Sequence, residues 1–325
     1  MKLNQKKKHC SVCKKRMIKY GFTRKGTQRW KCNSCEKIEL KKRKDISKKK
    51  LNNIIQEWLL GFQSLSEIAK KYNTTRQTFT RKFSEIKIQV KREKLKYLPK
   101  ELILLVDAKH ISRDEVVLVV YEYISQQVVA WSFQKRENYE SWFSLFILLK
   151  ERYEVKAIVS DGQKGLQKAI SHVFGNIIHQ RCIVHVIRFC LSKLTRSPQT
   201  EAGIELRKIV LLLNRVTNKK EVNLFTKQFK QWNETYRDFL KEKSTSLETG
   251  RTWYTHRKLR SVRSHLKNSI PYLFHYVYDK DIPKTTNHLE GGINSPLSEL
   301  LRRHRGIQKR FKRLLVSLYL LKRRK

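Results

Sequence analysis

Residues 102–133 read LILLVDAKHISRDEVVLVVYEYISQQVVAWSF, and this stretch decides the fold of the chain. Leu102 to Val106 is an unbroken apolar run, and Val116 to Ile124 and Val128 to Phe133 follow with only Ser125-Gln126-Gln127 between them. Short runs rich in β-branched residues, bounded by polar turns, predict a strand and then a hairpin, three antiparallel strands in all. Trp142, Phe146, Leu149 and Tyr153 then step at helical spacing, and Ala157 to Ser160 forms a fourth, shorter strand. Leu166, Ala169, Ile170 and Val173 mark a second helix, and a further strand is expected near Ile177 to Cys182.

The order βββαβαβ is that of an α/β RNase H-like core with a mixed sheet. In that architecture the first and fourth strands lie side by side, so carboxylates at their centre and end, Asp107 and Asp161, come together. Carboxylates brought together in this way suit hard divalent cations, and two Mg²⁺ (or Mn²⁺) ions about 3.5–4 Å apart provide the positive charge that phosphoryl transfer needs. The expected third acid is Glu290, in Asn287-His288-Leu289-Glu290-Gly291-Gly292. Asp107 is assigned the bridging position, with Asp161 and Glu290 each completing one ion. Asp279 and Asp281 read as loop residues, and Glu299 falls on the opposite face of a helix from Glu290.

Around these acids the chain carries 73 Lys and Arg against 28 Asp and Glu, a formal net charge of +45. Such a chain repels itself unless a polyanion neutralises it, and a nucleic-acid backbone is the commonest such partner. The basic residues run along the whole sequence, which differs from a basic tail on a neutral domain. The 14 Phe, 13 Tyr and 6 Trp supply folded cores, against the rival reading of a ribosome-type binding protein. No apolar stretch approaches the roughly 18–20 residues that span a bilayer, and the lysine-rich start lacks an apolar h-region. A cytoplasmic protein, held at the nucleoid through DNA, is the expectation.

Two modules are expected ahead of the core. Cys10, Cys13, Cys32 and Cys35 have the spacing C-x2-C-x18-C-x2-C, which lets four thiolates on two knuckles close one tetrahedral, structural Zn²⁺ site, a zinc ribbon over residues 1–45. Over residues 46–90, Leu51, Ile54, Ile55, Trp58 and Leu59 mark a helix stopped at Gly61, and Ser64-Leu65-Ser66-Glu67 is a capping box opening a second. A third helix from Thr75 has Phe79, Phe83 and Ile86 on one face and Gln77, Thr80, Arg81 and Ser84 on the other, where base edges are read in a helix-turn-helix. An ordinary three-helix packing unit has the same pattern. A charged linker follows over residues 91–100.

Three further segments complete the resemblance: Asp161-Gly162-Gln163-Lys164-Gly165-Leu166, Gln180-Arg181-Cys182-Ile183-Val184-His185-Val186-Ile187-Arg188, and Thr285-Thr286-Asn287-His288-Leu289-Glu290-Gly291-Gly292-Ile293-Asn294. Together, in this order, they resemble the Mutator-type insertion-sequence transposases of bacteria, and the zinc ribbon resembles one subgroup of them. The resemblance implies a DDE transposase that binds the terminal inverted repeats of its element, cleaves the ends with Mg²⁺ and transfers them to target double-stranded DNA. A homodimer or larger assembly is expected because two ends must be paired. A catalytically inactive, domesticated DNA-binding regulator is the alternative, and a structure-specific nuclease of the same fold a third reading.

The core is thus expected over residues 101–195 and 284–325, interrupted by an all-helical insertion over 196–283, where Leu206, Ile209, Val210, Leu213, Val222, Phe225, Phe229, Trp232, Tyr236 and Phe239 recur at helical intervals. Trp253 resembles the insertion-domain tryptophan that related transposases stack on an unpaired base, although a buried core tryptophan reads the same way. Arg302, Arg303 and Arg305 follow Glu290, and with the basic C-terminal helix they are expected to grip phosphates. Cys182 and His185 form C-x2-H, too few ligands to close a zinc site, and are given a structural or DNA-positioning role.

Overall fold

The computed structural model describes residues 8–24, 26–40, 47–85 and 97–324, without the side chains of residues 48, 84 and 85. Ile86, part of the basic run 41–50 and most of the expected linker therefore lie outside the described residues, as does the side chain of Ser84. The chain divides into two compact units, Met1–Ile55 with Gln77–Ile86, and Gln56–Arg76 with Lys87–Lys325. The division passes through the three-helix segment expected at residues 46–90.

In the first unit, strands β1 (Met17–Phe22), β2 (Gln28–Cys32) and β3 (Ile38–Leu40) form an antiparallel sheet in the order β1-β2-β3. Lys14 and Glu36, each directly after the second cysteine of a pair, take φ of 60° and 55°, the tight left-handed turn that folds each pair back on itself. The buried cluster of this sheet, among the described residues, is Cys10, Met17 and Cys32, with Cys13 and Trp30 packed against it. So small a core needs a further tie to hold the fold. Helices α1 (Lys48–Leu60), α2 (Leu65–Lys71) and α3 (Arg76–Glu85) follow, at the positions that the apolar spacing and the capping box predict. Ser64 and Glu67 make the reciprocal hydrogen bonds of that box. On α3, Phe79 and Phe83 are buried and stacked, while Gln77, Thr80 and Arg81 are exposed.

The second unit is built on a five-stranded sheet in the order β6-β5-β4-β7-β8. Its strands are β4 (Glu101–Ser112), β5 (Glu115–Glu122), β6 (Gln127–Gln134), β7 (Glu154–Ser160) and β8 (Ile178–Arg181). β5 runs antiparallel to β4 and β6, whereas β7 is parallel to both β4 and β8. β4 runs past the apolar run Leu102 to Val106 as far as Ser112, and Asp107 pairs with Val119 in mid-strand. Polar residues from Asp107 to His110 hid this continuation, because β5 supplies their backbone partners and no apolar side chains are needed.

One face of the sheet, including Leu102, Leu104, Val106, Leu118, Val120 and Ile158, packs on helices α4 (Tyr139–Lys150) and α5 (Lys164–Phe174) through Trp142, Phe146, Ala169 and Ile170. The alternate residues Ile103, Leu105, Val117, Val119 and Val159 are buried too. That is why these strands read as continuous apolar runs rather than alternating ones.

Beyond β8, helix α6 (Ile183–Lys193) shares a core with α7 (Glu201–Leu212), α8 (Lys219–Thr235), α9 (Arg257–Ser269) and α10 (His275–Tyr278). The inserted body therefore draws α6, expected within the catalytic core, into its own packing. It is not all-helical: β9 (Lys243–Thr245) and β10 (Thr252–Tyr254) form an antiparallel hairpin between α8 and α9. Segments of three residues are too short to show a period. Trp253, on β10, is 36% exposed, so the core reading of this residue is excluded. Two side chains of β8 tie the insertion to the sheet: Gln180 Nε2 donates to Leu273 O at 2.8 Å and Arg181 Nη1 to Ser269 Oγ at 2.6 Å. The chain returns through α11 (Asn287–Leu289), a π-turn (Glu290–Asn294), α12 (Ser295–Arg303) and α13 (Lys309–Lys322). α13 buries Phe311, Leu315, Val316, Leu318, Tyr319 and Leu320, so it is a packed element and not simply a basic surface helix.

Candidate active site

Parallel pairing sets the first two acids side by side. Leu105 on β4 is in register with Val159 on β7, so two residues on, at the next position of the same face, Asp107 meets Asp161 at the end of β7. This is the face opposite α4 and α5, which lies open to the returning C-terminal segment. Asp107 Oδ1 accepts from its neighbour Ala108 N–H at 2.9 Å and Oδ2 from Asn294 Nδ2 at 2.6 Å. Asp161 Oδ1 accepts the Gln163 N–H at 2.9 Å, opening α5.

Gly162 makes the turn possible. Its φ is +80°, and a Cβ there would stand 2.0 Å from Arg181 Nε. The buried Arg181 guanidinium donates from Nη2 to Asp161 O at 3.2 Å, so a glycine after the aspartate is demanded both by conformation and by contact.

Glu290 arrives from the other side, where α11 passes into the π-turn. Ser295 N–H donates to Glu290 O, a wider turn than an α-helix makes and a shape found mostly at functional sites. Glu290 Oε1 accepts from Thr286 Oγ1 at 2.8 Å and Oε2 from Arg188 Nη1 at 3.1 Å. His185 Nδ1 stands 3.6 Å from Oε1. Cys182, fully buried at the N-terminus of α6, accepts the Thr286 N–H at its Sγ at 3.4 Å.

The charges act on one another. Burial, and after it the charge of Asp161, pushes Asp107 up to about 7, with Glu290 adding to the rise and the Ala108 N–H and His185 opposing it. Burial pulls Glu290 upward, but Thr286, His185 and Arg188 together hold it below the usual carboxylate range. His185 is raised to about 9, chiefly by its hydrogen bond with Cys182. Burial opposes ionisation of Cys182, yet His185 and Thr286 bring the thiol below its ordinary value.

Among the described residues, two groups of three or more His, Cys, Asp or Glu bring ligand atoms within 4.8 Å of one another: Cys10, Cys13, Cys32 and Cys35, and Cys182, His185 and Glu290. Asp107, Asp161 and Glu290 share one electrostatic neighbourhood but are not such a group, because Glu290 is turned toward Arg188 and His185. In the ribbon, Cys10 Sγ lies 3.4 Å from Cys35 Sγ and Cys13 Sγ lies 3.3 Å from Cys32 Sγ. The backbone N–H groups of Cys35 and Ser34 draw Cys32 down to about 6, whereas the neighbouring thiols of Cys10 and Cys13 help push Cys35 up to about 12.

Sequence reasoning missed several residues that build this site. Asn294 lies one turn after Glu290 in a helical segment, a spacing that could have signalled it. Arg188 and Thr286 hold Glu290, and Glu137 is a further half-buried acid, raised by burial and by Asp161 and bonded by Trp142 Nε1 at 3.0 Å. Arg188 and Thr286 fall inside the segments that carry the resemblance, but nothing local assigns them to Glu290, and Glu137 carries no signal in sequence. Arg302 and Arg303, expected on phosphates, both pair with Glu299, at 2.8 and 3.2 Å. Arg305 is exposed, and His304 between them is buried edge-on to Trp58.

A family model for transposases of the Mutator family matches residues 116–311. The match takes in more than half of the chain, which belongs to that family. The transposase for insertion sequence element IS256 in transposon Tn4001, from Staphylococcus aureus and likewise from Enterococcus faecalis, is 37% identical over 65 residues, 19% of this chain and 17% of the relative. The transposase for insertion sequence element IS905 from Lactococcus lactis subsp. lactis is 33% identical over 72 residues, 22% of this chain and 18% of the relative. These matches thus span less than a fifth of each relative's length. A chain of the solved simian T-cell lymphotropic virus intasome in complex with PP2A regulatory subunit B56 gamma aligns over 37% of this chain and 43% of its own at 15% identity, but with a TM-score of 0.22 that likeness carries no argument. Among the described residues, no helix is long and apolar enough to cross a membrane.

Proposed function

We propose that the chain is a DDE transposase that binds the terminal inverted repeats of an insertion sequence and catalyses divalent-metal-dependent cleavage and strand transfer of double-stranded DNA, with Asp107, Asp161 and Glu290 as its catalytic acids. One observation carries the reading: two aspartates at successive same-face positions of adjacent parallel strands, with a glutamate from a distant segment in electrostatic contact with them, buried enough to raise Asp107 to about 7. The strand order, with three antiparallel strands followed by two parallel ones, is that of an RNase H-like core and supports the same reading.

Mg²⁺ or Mn²⁺ fits these residues, since the donors are hard carboxylate oxygens and burial beside Asp161 and Glu290 disfavours the Asp107 charge, which a cation would relieve. Such ions, when bound, supply positive charge to the attacking and leaving phosphate oxygens. Asp107 and Asp161 would hold them from the sheet and Glu290 from the π-turn. Asn294 fixes the Asp107 carboxylate in plane. Thr286 and Arg188 hold Glu290 ready, and its swing toward the aspartates completes the set. Arg188 is well placed to take up a phosphate once Glu290 leaves it.

The four ribbon cysteines would hold one structural Zn²⁺, and Gln77, Thr80, Arg81 and Ser84 would read bases from α3 as the recognition helix of a helix-turn-helix. The exposed Trp253 would stack on a base beside the cut, and Arg305 would meet phosphate; a homodimer pairs the two ends. The chain would act in the cytoplasm, at the nucleoid. Asp107→Ala should abolish Mg²⁺-dependent end cleavage while leaving binding to terminal repeats in place. Cleavage that survives the substitution removes the assignment.

A further inference from the structure

The tightest ligand set in the second unit is not the three carboxylates. Cys182, His185 and Glu290 offer one sulfur, one imidazole nitrogen and one carboxylate oxygen, all within 4.8 Å of one another. A tetrahedral ion with bonds of about 2.0–2.3 Å holds its ligand atoms roughly 3.3–3.8 Å apart. The 3.6 Å between His185 Nδ1 and Glu290 Oε1 falls in that range, and it is too long for a hydrogen bond. Moreover, His185 Nδ1 is buried and makes no hydrogen bond of ordinary geometry, while Cys182 is close enough to raise the imidazole. Cys182 and His185 sit one helical turn apart at the start of α6, and Thr286, through its N–H to Cys182 Sγ and its hydroxyl to Glu290 Oε1, locks the third ligand against the first two.

We propose that Cys182, His185 and Glu290 form a binding site for a thiophilic divalent cation of the zinc class, with a fourth position open toward Asp107 and Asp161. Sulfur and imidazole select Zn²⁺ over Mg²⁺. Such an ion would keep Glu290 turned away from the aspartates, so the site is inhibitory. That consequence rests on the catalytic role proposed above for Glu290, whereas the site itself does not.

The test uses the full-length chain without DNA, equilibrated with buffered zinc alone, and measures bound zinc by elemental analysis. The wild type should hold about two zinc ions per chain, one in the ribbon, and Cys182→Ser and His185→Gln about one each. A Cys10→Ser chain keeps the second site, and on cobalt substitution should show an absorption band from a single thiolate, which independently checks the assignment if the core variants fail to fold. Wild type that binds only one zinc, or Cys182→Ser that still binds two, overturns the site. In the end-cleavage assay with Mg²⁺, added zinc should slow the wild type at concentrations that spare Cys182→Ser relative to its own zinc-free rate. Equal sensitivity overturns the inhibitory role. A chain that binds two zinc ions but cleaves nothing would instead remove the transposase reading and leave the site standing.

Discussion

Replacing Asp107 by asparagine should make the protein more stable. The carboxyl is pushed up to about 7 in the folded chain from an ordinary value of 3.8, so folding raises its pKa by about three units. A raised acid contributes its full stability below the unfolded value and loses it as pH climbs through the folded one. Between about pH 4 and pH 7 the native carboxyl keeps its proton while the unfolded one ionises, so stability falls by roughly 1.4 kcal/mol per pH unit, a loss approaching about 4 kcal/mol by pH 8.

Asparagine has the same shape and no charge. It can still accept the Ala108 N–H, and the Asn294 amide, whose Oδ1 is buried and unpartnered, can flip to accept from the new amide nitrogen. Urea denaturation, followed by tryptophan fluorescence in magnesium-free buffer, should show Asp107→Asn and wild type equal near pH 4 and separated by about 2–4 kcal/mol at pH 8. Added Mg²⁺ should then stabilise the wild type and leave the variant unmoved. A stability gap that does not change with pH would refute the claim that this carboxylate carries the site's charge cost.

Gly162→Ala should displace Asp161 against the Arg181 guanidinium and cost about 1–3 kcal/mol, read as a lowered urea midpoint; the wild-type midpoint would show that the turn tolerates a Cβ. Trp142→Ala, at a fully buried position between sheet and α4, should cost about 3–5 kcal/mol in the same assay. Cys32→Ser should lose the ribbon's zinc while the helical circular dichroism of the second unit is retained, and a chain that loses all its structure would show that the ribbon does not fold apart from the rest.

Much of the fold was legible because two-faced burial leaves continuous apolar runs. β5 and β7 could be read from Val116 to Val120 and from Ala157 to Ser160 for that reason, and α4 and α5 from their stripes. The turn residues at Ser125 to Gln127 and the capping box at Ser64 were equally local signals. The far half of β4 was not legible, since a strand paired on one side needs no apolar side chains of its own. The β9–β10 hairpin escaped for a different reason: three residues per strand give no period. The acids of the site could be nominated from their positions after strands, but not their settings. Glu290 could be preferred over Asp279, Asp281 and Glu299 by its motif and helical phase, but its contacts with Thr286, Arg188 and His185 could not be read.

The sequence by itself determined most of the elements, the four-cysteine spacing and the strongly positive charge, because each depends on spacing within a few residues or on composition. Tertiary structure alone decided that Asp107 and Asp161 stand abreast, that a π-turn brings Glu290 and Asn294 onto them, and that Cys182 and His185 acquire a third neighbour. Those pairings join residues from 54 positions apart, Asp107 and Asp161, to 187 apart, Asp107 and Asn294. Register, burial and mutual charge set them, and none of these exists until the strands have paired and the inserted body has closed over β8.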